Sequence, residues 1–108
     1  MTDVSEGWTV LCKESDVSEG EVVVVQAFGR DLAVVKVGSE LFCIDAVCTH
    51  AFGFLDEGQL EGYEIECPLH GGRFDVRTGK PTHEPAEVPL GTYPLMTEEG
   101  VVYGHFER

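Results

Sequence analysis

The chain has 108 residues, 43% of them hydrophobic, the size and apolar content of one compact domain with an ordinary core. Its 20 acidic and 7 basic side chains leave a net charge of −13, which repels nucleic-acid phosphates and anionic lipid and excludes both as partners. The longest apolar run, Val22 to Val25 continued by Ala27 and Phe28, is about a third of a membrane span, and the acidic start Met1-Thr2-Asp3-Val4-Ser5-Glu6 is unlike a presequence, so a cytoplasmic chain off the membrane is expected.

In chain order, Trp8 to Cys12 reads as a first strand, and Glu21 to Phe28 and Leu32 to Val37 as two more, joined at Gly29-Arg30-Asp31. The run Val22-Val23-Val24-Val25 suits a strand covered on both faces, because β-branched side chains pack well on a pleated surface. Leu41 to Ile44 gives a fourth strand. Near the end, Thr92 to Glu98 and Val101 to Phe106 flank Glu99-Gly100 as a hairpin, so the two ends of the chain are expected to share one β framework. Between about Ala46 and Pro89 the texture changes to glycine, proline, histidine and short strands such as Tyr63 to Cys67 and Arg73 to Val76. That segment, 46–89, is expected to be a small subdomain inserted in a single all-β domain spanning 1–108. Its weak strand character suggests loops held by a bound metal centre more than by a large core.

The chemistry concentrates in that insert. Cys48-Thr49-His50 is followed, after sixteen residues, by Cys67-Pro68-Leu69-His70. Thiolate and neutral imidazole are the donor pair for zinc or iron–sulfur chemistry and not for magnesium or calcium. A structural zinc site normally spaces its paired ligands by two to four residues, whereas each pair here is mixed and the first has a single residue between its members. Each turn can therefore offer one thiolate and one imidazole to different metal atoms, although a zinc-stabilised binding module stays open on spacing alone.

The pattern Cys-x-His, sixteen residues, Cys-x-x-His resembles the fingerprint of Rieske centres, in which two cysteines hold one iron of a 2Fe–2S cluster and two histidines the other. The resemblance extends along Cys67-Pro68-Leu69-His70-Gly71-Gly72-Arg73-Phe74-Asp75-Val76-Arg77-Thr78-Gly79-Lys80-Pro81, and through Glu84-Pro85-Ala86 and Thr92-Tyr93-Pro94-Leu95, to the small Rieske ferredoxins of bacterial aromatic-ring dioxygenases. It implies a Rieske-like antiparallel β-sandwich framework with an inserted cluster-binding subdomain and one Rieske 2Fe–2S cluster. Cys48 and Cys67 would hold the inner iron and His50 and His70 the outer one. Thr49, Gly53, Leu69, Gly71 and Gly72 would line the ligand loops, where glycine lets backbone N–H groups approach the sulfurs, and Pro85 would close the third side.

Departures from the respiratory branch of the family bear on potential. Gly53 and Leu69 stand where that branch carries a disulfide, and Gly72 and Phe74 where it carries a serine and a tyrosine donating to the cluster and its cysteine. Fewer donors leave the reduced state less stabilised, so the resemblance implies a potential at the low end of the Rieske range, on the order of −150 mV.

The implied role is a one-electron carrier and not an enzyme, a monomer that takes electrons from an NAD(P)H-dependent flavoprotein ferredoxin reductase and passes them to a terminal Rieske non-haem iron oxygenase. The alternative is a small Rieske subunit permanently bound to a larger redox enzyme. No nucleophile with a base and no framed pair of carboxylates points to catalysis in this chain itself. Cys12 and Cys43 read as small buried hydrophobes, and His83 and His105 as surface or structural residues. Phe52, Phe54 and Phe74 suit cluster shielding or plain packing equally. Asp56, Glu57, Glu61, Glu64 and Glu66 form an acidic interval that is either a solvated face or a steering surface, and Arg73, Arg77 and Lys80 are expected to pair with it, with contact to a partner as the alternative.

Overall fold

Short β-favouring runs between glycine turns fold into strands throughout residues 8–27, 29–47, 54–68, 71–84 and 86–105, which a computed structural model describes, with the backbone alone at Glu57. They are β1 (Trp8–Lys13), β2 (Val22–Ala27), β3 (Arg30–Val37), β4 (Glu40–Asp45), β5 (Gln59–Glu61) and β6 (Glu64–Glu66). After these come β7 (Arg73–Asp75), β8 (Pro81–His83), β9 (Thr92–Tyr93), β10 (Leu95–Glu98) and β11 (Val101–His105), with two short 3₁₀ turns at Glu14–Asp16 and Leu55–Glu57. The expected all-β class therefore holds, and among the described residues no helix is long and apolar enough to cross a membrane.

Among the described residues three antiparallel sheets form. Two, ordered β1-β11-β10 and β2-β3-β4-β9, make the framework, and the third, β5-β6-β7-β8, is built wholly from residues 59–83. As expected, the N-terminal and C-terminal strands share one framework, with β1 paired to β11 from Trp8↔His105 to Lys13↔Val101. The β10–β11 hairpin turns at Glu99 (φ 52°) and Gly100 (φ 80°), two positive φ values in succession, the backbone of a tight type I′ turn. Ala27 pairs with Arg30, so β3 begins at Arg30 and the first hairpin turns earlier than Gly29-Arg30-Asp31.

A second difference is at Thr92–Glu98, which is two strands and not one. Pro94 has no N–H for a ladder, and on either side of it the chain changes sheets: Tyr93 pairs with Cys43 on β4, Leu95 with Gly104 on β11. Strand switching of this kind is how a sandwich turns its corner.

The sheet β2-β3-β4-β9 is the middle layer. On one face Leu32 and Cys43 pack with Leu11 and Leu95 of the β1-β11-β10 sheet. On the other, Ala33, Val35 and Ile44 join Leu55, Ile65, Cys67 and Phe74 in one apolar cluster. Strand β3 is thus covered on both faces, with Leu32 to Val35 fully buried, whereas the valines of β2 are only half-buried because β2 has a ladder partner on one side alone. The insert also has more core than its composition suggests. Leu55, Ile65 and Phe74 are fully buried, each contributing about 1.5–3 kcal/mol by leaving water, so packing holds this segment to the framework.

Candidate metal centre

The first loop leaves the end of β4. Ala46 is fully buried; its N–H donates to the Asp31 carbonyl (3.0 Å) and its carbonyl accepts from the Leu55 N–H (2.8 Å). Val47 and Phe54 form an antiparallel bridge. These bonds tie together the two feet of the stretch 48–53, which carries Cys48 and His50. Cys48, Thr49, His50, Phe52 and Gly53 lie outside the described residues.

The second loop is the connection of the β6–β7 hairpin. Ile65 pairs with Phe74 and Glu66 with Arg73; then the Cys67 N–H donates to the Gly72 carbonyl (2.7 Å) and the Gly71 N–H to the Cys67 carbonyl (3.1 Å). Gly71 has φ 78°, a left-handed conformation that a side chain would resist. The Cys67 thiol is free and Cys67 is fully buried. Leu69, His70 and Pro85 lie outside the described residues, so the structure places one of the four expected ligands. The neighbour of Pro85, Ala86, is buried in the same apolar cluster and donates to the His83 carbonyl (3.1 Å).

The feet of the two loops adjoin. Ala46, Leu55, Cys67 and Phe74 belong to a single cluster, and a Cβ built at Gly58 would overlap the carbonyl oxygen of Glu66, the residue before Cys67. Only glycine lets the outgoing leg of the first loop lie this close to the strand feeding the second. A free, water-excluded thiol at the root of a glycine-bearing hairpin loop, beside the closed feet of the other Cys/His loop, fits the 2Fe–2S cluster that the resemblance implies.

Charge is arranged on the outer face of the third sheet. The Arg73 guanidinium lies 3.1 Å from Glu61, 3.4 Å from Glu64 and 3.3 Å from Glu66, and its hydrogen bonds to Glu61 and Glu64 raise its affinity for the proton further. Arg73 thus pairs with the acidic interval as expected. Arg77 does not: it binds Asp75 two residues away through its backbone N–H (2.8 Å), Nε (3.1 Å) and Nη2 (2.9 Å), and these bonds hold the Asp75 carboxyl below its usual range. The Arg77 guanidinium also stacks 4.1 Å over the Tyr63 ring, while the Tyr63 hydroxyl donates to Glu40 (2.7 Å) and so ties the insert to β4.

Other residues singled out in the sequence fall outside this chemistry. Phe74 is fully buried in the apolar cluster that also holds Cys67, while Phe54 is exposed at the foot of the first loop. Burial, then Asp45 and Cys12, push the Cys43 thiol up to about 12, and burial followed by Asp16 raises that of half-buried Cys12. His83 is exposed, and His105 packs edge-on to Trp8 at 5.0 Å. Asp45, Gly58 and Gly91 carry no signal in the sequence, and Tyr93 stands out there only within the resemblance. Asp45 accepts from the Tyr93 hydroxyl (2.6 Å) and the Gly91 N–H (2.8 Å), partners 46 or more positions away that no local pattern discloses.

Comparison with known proteins agrees with this geometry. The family model described as Rieske [2Fe-2S] domain matches residues 7–94. Ferredoxin CarAc of Metapseudomonas resinovorans is 42% identical over 97 residues, which cover 89% of this chain and 91% of that protein. The ferredoxin component of the naphthalene 1,2-dioxygenase system of Pseudomonas putida is 44% identical over 91 residues, 84% of this chain and 88% of that one. Among solved structures, a chain in the complex of reduced oxygenase and oxidized ferredoxin in carbazole 1,9a-dioxygenase superposes with a TM-score of 0.87 at 40% identity, covering 94% of each chain.

Proposed function

The chain belongs to the Rieske [2Fe-2S] domain family, and from that membership we propose that it is the ferredoxin of an aromatic-ring dioxygenase system, a one-electron carrier and not itself a catalyst. The observation that carries this reading is correspondence along nearly the full length of such ferredoxin components, 89% of this chain against 91% of one of them. Electrons would come from an NAD(P)H-dependent flavoprotein reductase and go to a terminal Rieske non-haem iron oxygenase.

In this reading Cys48 and Cys67 hold one iron, His50 and His70 the other, and 46–89 is the cluster-binding unit. When bound, the cluster supplies a reversible one-electron couple, with a potential on the order of −150 mV. The chain's own residues supply the setting. Leu55, Ile65 and Phe74 keep water from the Cys67 side, and Gly71 gives the second loop the turn it needs. The −13 charge steers the carrier, as a cytoplasmic monomer, to basic patches on its partners through brief, salt-sensitive encounters.

Reconstitution tests this. Mixed with a dioxygenase-system reductase, NADH and a terminal oxygenase, the holoprotein is expected to take up one electron per chain and be reoxidised by the oxygenase, more slowly as salt rises. A holoprotein that neither accepts from the reductase nor delivers to the oxygenase overturns the carrier role, and rates indifferent to salt overturn the steering.

A further inference from the structure

The strongest unexplained feature is the strap Leu90 to Tyr93, which through consecutive residues holds both the end of β4, before the first ligand loop, and the β7–β8 turn, after the hairpin of the second. Asp45, three positions before Cys48, donates its N–H to the Gly91 carbonyl (3.0 Å) and accepts the Gly91 N–H on Oδ2 (2.8 Å). Its other oxygen, Oδ1, accepts the Tyr93 hydroxyl (2.6 Å), and that hydroxyl oxygen accepts from Arg30 Nη1 (3.1 Å). A Cβ at Gly91 would stand 2.8 Å from Asp45 Oδ2 and 2.9 Å from the Tyr93 oxygen, so the clasp closes only around glycine.

One residue earlier the strap grips the other element. The Leu90 N–H donates to the Gly79 carbonyl (2.8 Å), and a Cβ at Gly79, where φ is 79°, would overlap the Leu90 carbonyl oxygen. Gly79 lies in the turn from β7 to β8, and β7 is the partner of the strand that leads into Cys67. The β4–β9 ladder itself is two pairs long, Cys43↔Tyr93 and Ile44↔Thr92. The Asp45 carboxylate extends it by one step toward the first ligand loop with charge-assisted bonds, stronger than the neutral bonds of the ladder.

We propose that Asp45 and Gly91 are positioning residues that set the spacing between the loop carrying Cys48 and His50 and the hairpin carrying Cys67 and His70. The proposal rests on the reading that those four residues share one cluster. The Asp45 clasp is then an outer support for the ligands, of the kind that tunes a metal centre without touching it.

The test compares D45A, D45N and Y93F with the wild-type holoprotein, reading the EPR line shape of the dithionite-reduced form, the rate of cluster bleaching, and amide exchange at Ala46, Leu55 and Cys67. Asparagine can still accept from the Gly91 N–H and donate to the Tyr93 oxygen, whereas alanine can do neither. D45A is expected to broaden the EPR features, bleach about tenfold faster, the scale of a lost charge-assisted hydrogen bond, and exchange faster at all three amides. D45N is expected to restore the line shape, and Y93F, which keeps the Gly91 bond and the fold, to fall between. Native EPR, bleaching and exchange in D45A, or equal damage in D45A and D45N, overturns the proposal. A wild-type protein without a Rieske signal overturns the ligand reading instead, and exchange at Ala46 against Cys67 in Y93F still decides whether the strap couples the two loops.

Discussion

Glu66 and Arg73 face each other across the β6–β7 ladder with 3.3 Å between carboxylate and guanidinium, one residue before Cys67 on the first of these strands. Glu61 and Glu64 close on the same guanidinium, so one cation keeps three carboxylates of neighbouring strands together. Replacing Arg73 with methionine keeps the aliphatic stem and leaves three like charges unscreened across the ladder. The melting temperature of R73M is expected to fall below wild type in dilute buffer and to recover part of the loss in about 1 M salt, where charges are screened beyond about 3 Å. A deficit of equal size at both salt concentrations would show that packing and not charge is what the arginine supplies.

Gly58 lets the leg of the first ligand loop lie against the Glu66 carbonyl. The obstacle to any side chain there is backbone, which cannot swing away. Gly58→Ala is expected to cost about 1–3 kcal/mol of stability in denaturant titration, the range for overpacking. The same substitution at Gly62, in the β5–β6 turn, meets open space and faces only the strain of its φ of 60°.

Cys43 is buried with its thiol pushed up to about 12, and Cys12 is shifted in the same direction. Thiolate is the nucleophile, and neither residue offers any appreciable amount of it near pH 7. In native holoprotein, iodoacetamide is expected to leave Cys43 unmodified for as long as the fold persists and to label it promptly in denaturant. Rapid labelling of Cys43 in the native protein would contradict its burial.

Asp75 is held below its ordinary 3.8, first by the hydrogen bonds from the Arg77 side chain. The folded state therefore prefers the charged carboxylate. Its stabilisation is complete above the unfolded pKa near 3.8 and is lost as pH falls through the lower folded value. The difference in melting temperature between wild type and D75N is expected to be constant from pH 7 to about pH 5 and to shrink below about pH 4. A difference that widens in acid would reverse the sign of this linkage.

What the sequence disclosed follows from how local each signal is. The Glu99-Gly100 hairpin and the strands of the framework are written in contiguous residues, and of the mixed Cys/His pairs read from the sequence the structure describes Cys67, buried at the root of its loop. Strand β5 follows directly on Gly58 and β8 opens on Pro81, turn-type residues that hide three-residue strands, and the split of Thr92–Glu98 depends on one proline whose effect is to change the strand's partner. The role of Arg73 was legible because its acids are near in sequence, while that of Arg77 was not, since Asp75 competes for it at two residues' distance. The clasp of Asp45 on Gly91 belongs to tertiary structure alone.

Mixed cysteine and histidine ligation of a 2Fe–2S cluster is read out by low-temperature EPR with visible absorption of the freshly purified protein before and after dithionite. A brown protein is expected, silent when oxidised, whose reduced form gives a rhombic signal with a mean g below that of all-cysteine 2Fe–2S clusters. A colourless, EPR-silent protein that carries zinc would contradict it, leaving the β fold intact and the electron-carrier role without its redox centre.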